Sequence, residues 1–66
     1  MEKYVHNDDI RYIIDSYIHS ERDRVILKRI YVDDIHYEPL AEELGLSVST
    51  ISRTKKKHED LIESLL

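Results

Sequence analysis

Cysteine is absent from this chain, which excludes disulfides and thiolate-held metal sites from the outset. Glycine occurs once, at Gly45, and proline once, at Pro39. A single glycine cannot build a glycine-rich phosphate loop. His6, His19, His36 and His58 are scattered singly, without metal-ligand spacing, and each reads as a surface or capping residue. The acid pairs Asp8-Asp9 and Asp33-Asp34 are explained by a helix start and a turn. Catalysis, a bound cofactor and a metal centre therefore find no support, and no enzyme is expected. No apolar run approaches the length of a signal segment or a membrane span, so no membrane partner is expected and the cytoplasm is the default compartment.

What is present is helical periodicity. The 66 residues suit one small domain, spanning 1–66, whose modest core is marginal unless its helices pack efficiently or chains pair. Met1–His6 is polar apart from Tyr4 and Val5; it is expected to fray, with Tyr4 able to pack. Ile10, Ile13, Ile14, Tyr17 and Ile18 then form a stripe at i, i+3, i+4, i+7 and i+8, behind Asn7 or Asp8 as cap. Ser20 followed by Asp23 resembles a capping box, and Ile26, Leu27, Ile30 and Tyr31 supply a second buried face with Val25 at its margin. Ile35 is expected to plug the core from the connection after Asp33. A third helix follows, with Pro39 in its first turn, where a missing N–H costs nothing. No breaker occurs between Ser47 and Leu66, and Val48, Ile51, His58, Leu61, Ile62 and Leu65 continue a helical pattern that Lys55 interrupts. The fold class expected is all-α: a small four-helix domain with a helix-turn-helix and a long C-terminal recognition helix. Its helices span about residues 7–19, 21–32, 37–44 and 48–64. Leu61, Ile62, Leu65 and Leu66 suit either docking against the first helix or a dimer seam.

The stretch from Ile35 to Lys57 carries the functional signal. Leu40, Ala41 and Leu44 precede Gly45; then come Leu46, a capping Ser47, Val48 and Ile51. A helix that must stop, turn and restart has this order of residues. Gly45 can take positive φ, Ala41 lets two backbones approach, and Ile51 closes the angle against Leu40 and Leu44. The charge distribution points the same way. The chain is net −4, yet Ser47–His58 holds four bases, Arg53, Lys55, Lys56 and Lys57, and no acid. Met1–Leu46, with six bases against eleven acids, is net −5, and Glu59–Leu66 is net −3. An acidic body with one basic band weakens non-specific phosphate binding and makes affinity depend on docking the right face.

The residues Glu21-Arg22-Asp23-Arg24-Val25-Ile26-Leu27, Tyr31, Ile35-His36-Tyr37 and Leu40-Ala41-Glu42-Glu43-Leu44-Gly45-Leu46-Ser47-Val48-Ser49-Thr50-Ile51-Ser52-Arg53 resemble region 4 of the bacterial sigma-70 factors. They also resemble the small phage and mobile-element regulators built on that region. The resemblance covers about Glu21 to Lys57 and is most specific over Leu40–Arg53. It implies a domain that reads the −35 promoter element through its last helix and touches RNA polymerase. There are departures: His36 stands where Ser or Thr is usual, Asp34 where Gly is common and Pro39 where Glu is common, and Arg29-Ile30 inverts an apolar–Arg order. The length leaves no room for the family's other regions, so an isolated module is expected rather than a complete promoter-recognition factor.

The function expected is sequence-specific binding of double-stranded DNA by a transcriptional regulator, with helix 48–64 in the major groove. Base reading falls to Ser49, Thr50, Ser52 and Arg53, since a guanidinium bonds guanine O6 and N7 together and short hydroxyls accept several bases. Phosphate contact falls to Ser47, Lys55, Lys56 and Lys57. A homodimer is one expectation, because a single short recognition helix gives little affinity. The alternative is a protein-interaction module that binds RNA polymerase or a sigma partner, with DNA incidental. A weaker third reading is an adaptor or inhibitor that borrows the helix-turn-helix shape alone.

Overall fold

The computed structural model describes residues 7–66, and four helices in sequence build these residues. They are α1 (Asn7–Tyr17), α2 (Glu21–Tyr31), α3 (Tyr37–Leu44) and α4 (Val48–Leu65), and no strand occurs among the described residues. The all-α, four-helix expectation holds, and every helix end falls within two residues of its predicted position. The readings placed on Met1–His6 lie outside the described residues.

Each helix starts and stops for a local reason. The acids Asp8 and Asp9 occupy the first turn of α1, at the positive end of its dipole. In α2, Ser20 Oγ accepts from the Asp23 amide at 3.2 Å, and Lys28 and Arg29 sit in the last turn, where cations suit the dipole. The start of α3 at His36 has no side-chain cap, in line with the absence of Ser or Thr there. Pro39 falls in its first turn, and Leu40 N–H, donating to His36 O at 3.2 Å, makes the first helical bond after it. Gly45 ends α3 at φ 68°, with its amide donating to Glu42 O and the Leu46 amide to Ala41 O at 2.9 Å. That paired arrangement is a Schellman ending. Ser47 restarts the chain, its Oγ accepting from the Thr50 amide at 3.1 Å. Asp34 takes φ 56°, so this connection needs left-handed backbone too.

Two apolar clusters hold the helices together. Ile10, Ile13, Ile14 and Ile18 meet Leu27 of α2 and Ile62 of α4, with Tyr31, Val32 and Leu66 around them. Ile26 meets Leu40, Ala41 and Ile51, and Ile30, Ile35, Tyr37, Leu44 and Leu46 enclose that cluster. Ile35 thus plugs the core as expected, and Ala41 and Ile51 lie together where α3 and α4 pack. Ile62 and Leu66 dock against the α1 cluster, while Leu61 and Leu65 stay exposed on the flank of α4.

One expected core position is corrected. Tyr17 is 49% exposed, while its neighbour Ile18 is buried in the cluster with Ile62. Val48 and Leu61 also lie outside the core, at 42% and 38% exposure. The inward face of α4 runs instead through Ile51, Thr54, Lys55, His58 and Ile62, and both residues fall beside it.

Candidate nucleic-acid interface

Because Ile51 is buried against Leu40 and Ala41, the rotation of α4 about its axis is fixed. That rotation turns Ser49, Arg53 and Lys56 outward, with Ser52 half-buried between them. These four fall at i, i+3, i+4 and i+7 and form one stripe. Lys57 is exposed on the adjoining flank, one turn beyond Arg53.

The Arg53–Lys57 flank faces α2 across a shallow cleft of about 290 Å³ lined by Arg22, Asp23, Thr50, Arg53, Thr54 and Lys57. Arg22 is 58% exposed and comes from the first turn of α2. Three cations from two helices therefore border one depression, with the Thr50 and Thr54 side chains in its wall. Thr54 is buried and its hydroxyl donates to Thr50 O at 2.9 Å, so it shapes the wall without offering a free donor.

The cleft has an acidic floor. Asp23 is only 4% exposed. His58 Nε2–H donates to its Oδ2 at 2.9 Å, and Arg22 Nη2–H donates to its Oδ1 at 3.3 Å. Burial pushes the Asp23 carboxyl up, but the hydrogen bonds and positive charge of His58 and Arg22 outweigh it and hold the group below its ordinary value. Asp23 also corrects the capping-box reading: its amide serves the Ser20 cap, but its side chain reaches across to α4.

The phosphate assignment of Lys55 is corrected by the same rotation, and that of Ser47 by its capping bond. Lys55 lies on the inward side of α4, four residues after Ile51. Its Nζ donates to Glu59 at 2.9 Å and sits 5.7 Å from the centre of the Tyr31 ring. The Glu59 hydrogen bond holds the Lys55 ammonium above its ordinary value, and burial pushes up the neighbouring Tyr31 phenol. Lys55 thus braces α4 against α2 instead of joining Arg53, Lys56 and Lys57. Ser47 is exposed, but its hydroxyl oxygen caps α4 and lies 2.9 Å from Thr50 Oγ1. Thr50, assigned to base reading, is half-buried and shares that bond. Both hydroxyls are engaged at the helix start, which leaves Ser49, Ser52 and Arg53 as the outward candidates.

Sequence reasoning did not find Arg22, Thr54 or the Asp23–His58 pair. Arg22 lies 31 positions before Arg53, and nothing local marks it as part of the same cleft. Thr54 and His58 carried a readable signal: with Lys55, they fall on the buried stripe set by Ile51 and Ile62. Among the described residues no cluster of His, Cys, Asp or Glu has the arrangement to hold a metal ion. No helix among them is long and apolar enough to cross a membrane. No family model, curated protein or solved structure matches this chain.

Proposed function

We propose that this protein is a sequence-specific DNA-binding transcriptional regulator, with α3 and α4 acting as a helix-turn-helix and the first half of α4 entering the major groove. The observation that carries the reading is the convergence of Arg53, Lys56 and Lys57 with Arg22 on one side of an otherwise acidic molecule, beside a helix start whose turn is made by Gly45. A helix entering the groove offers its N-terminal residues to base edges and its flanking cations to phosphates. In this reading Arg53, Ser49 and Ser52 meet bases. Lys56, Lys57 and Arg22 meet the backbone on either side, and the free amides of the first turn of α4 favour an anion. The resemblance to region 4 of the sigma-70 factors agrees with this use of α4 and suggests a regulator of phage or mobile-element character.

The reading is tested by random-site selection followed by affinity measurement over a salt series. The log of affinity should fall with log salt by about 0.9 per phosphate contact, on top of a preferred sequence. In Arg53→Ala, discrimination between the selected site and a scrambled one should drop by about 1–3 kcal/mol while the fold persists. Undiminished discrimination would assign base reading elsewhere.

One observation favours the protein-interaction reading as an alternative. A second depression, of about 260 Å³, is lined by Val25, Val32, Arg11, Lys28, Arg29 and Asp33, with Val25 41% exposed. Apolar surface between charged groups suits a protein partner such as RNA polymerase. Co-purification with polymerase at high salt, with no DNA affinity at low salt, would select this alternative.

A further inference from the structure

The Asp23–His58 pair joins the floor of the cationic cleft to the middle of α4, and the proposed DNA contacts do not use it. His58 is mostly enclosed, with 16% of its side chain exposed, and Asp23 has 5%. A carboxylate can only accept, so in the neutral imidazole the proton sits on Nε2 and points at Asp23. The other Asp23 oxygen holds Arg22, which also borders the cleft. One carboxylate is thus shared between a titratable ring and a guanidinium available to a ligand.

We propose that protonation of His58 tightens the binding of a phosphate-type anion between Arg22, Arg53 and Lys57, so that DNA affinity is set in part by pH. The inference rests on the reading of this cleft as a phosphate seat. With His58 neutral, the cleft carries three cations against the Asp23 carboxylate, and Arg22 is held partly toward that carboxylate. With His58 charged, Asp23 is neutralised from behind and its hold on Arg22 weakens, leaving the guanidinium to the ligand. Both effects have the same sign.

The charged groups around His58 come from α2 and from α4 itself. From α2 Asp23 contacts it, with Arg22 on the far side of that carboxylate, and Lys55, one turn earlier on the same inward face of α4, is a cation on its own helix that is paired with Glu59. α1 packs on α4 through its isoleucines. On α4 itself Lys57 and Glu59 are its sequence neighbours, and Glu59 is engaged by Lys55. Among the described residues Asp23 is the only carboxylate in ion-pair contact with His58.

Reciprocity supplies the test: if protonation favours the anion, the anion must favour protonation. Sulfate is the probe, because its charge is constant over the range, about pH 5 to 8, in which a histidine titrates. The His58 ring resonances are followed by NMR through that range in sulfate and in chloride at equal ionic strength, with His19 and His36 as internal references. The expected result is an upward move of the His58 midpoint in sulfate beyond that of the references. Sulfate affinity should be roughly three- to tenfold higher at the acid end, the size expected of one added charge near a solvated anion. His58→Gln keeps an N–H for Asp23 but cannot titrate, and its sulfate affinity should be flat with pH. A His58 midpoint that sulfate does not move overturns the proposal, as does undiminished pH dependence in His58→Gln. Repeating the series with a duplex DNA separates the two ideas. Coupling to sulfate without duplex binding at low salt removes the DNA reading and leaves only the coupling of His58 to the anion. Duplex binding that is indifferent to pH removes this one and leaves the DNA reading.

Discussion

Gly45 and Asp34 occupy the same region of backbone space, at φ 68° and φ 56°, but only one of them is the residue type that enters it freely. A Cβ at Gly45 would meet nothing within 4 Å, so the cost of Gly45→Ala is purely one of backbone conformation. Urea denaturation should show a loss of about 1 kcal/mol for Gly45→Ala, and Asp34→Gly should raise stability by up to about 1 kcal/mol. Asp23 is a buried residue whose contribution depends on acid. Its carboxyl is held below the ordinary value in the folded chain. The folded state therefore binds its proton less readily than the unfolded one, and the stabilisation is complete above the unfolded pKa of about 3.9. It is lost as pH falls through the lower, folded value. Thermal melts below about pH 4 should accordingly show Asp23→Asn losing less stability on acidification than the wild type. An equal acid loss in both would place the sensitivity in another carboxylate.

At the scale of elements, the start of α4 combines two tasks. Ser47 ends the turn and caps the helix, and its hydroxyl is tied to Thr50 by both backbone and side chain. Ser47→Ala should cost about 1 kcal/mol, the usual loss for an N-cap. If the proposed DNA binding holds, affinity should fall chiefly through fraying of the first turn of α4, so the sequence preference should persist while amide exchange at Val48–Ile51 rises. A lost preference with unchanged exchange would instead make Ser47 a reader. Arg29 illustrates how elements are joined away from the cleft. It pairs with Asp33 at 2.8 Å and with Glu43 of α3, and these partners raise its already high pKa. The cation–acid pairs Lys28–Asp15 and Lys55–Glu59 likewise occupy bases with acids of the chain itself.

For the whole molecule, those internal pairs decide which bases among the described residues are available to a polyanion. Arg53, Lys56 and Lys57 face outward and Arg22 is shared with Asp23, whereas Lys55 is held by Glu59. The salt series discriminates between adjacent lysines. Lys56→Ala should weaken binding to all sequences alike and reduce the salt slope by about 0.9, and Lys55→Ala should leave the slope unchanged while lowering the melting temperature. Equal slope changes for both would mean that Lys55 leaves Glu59 and Tyr31 when DNA arrives.

The helices, their ends and the turn were legible in the chain alone, because they depend on neighbours within about four positions. Ser20 and Ser47 cap, Gly45 reverses φ, and isoleucines at helical spacing mark a buried side. Charge was legible as a band from Arg53 to Lys57, but its direction was not. A run of consecutive bases winds around a helix, and only the seating of Ile51 and Ile62 in the two clusters fixes which bases turn inward. Lys55 lies on the inward side and Lys56 on the outward, one residue apart. The partnership of Arg22 with Arg53, and of Asp23 with His58 across 35 positions, likewise arises only when α2 and α4 pack. Local spacing carries no information about which helices become neighbours; burial of apolar surface decides that, and the polar groups at the cleft are brought together as its consequence.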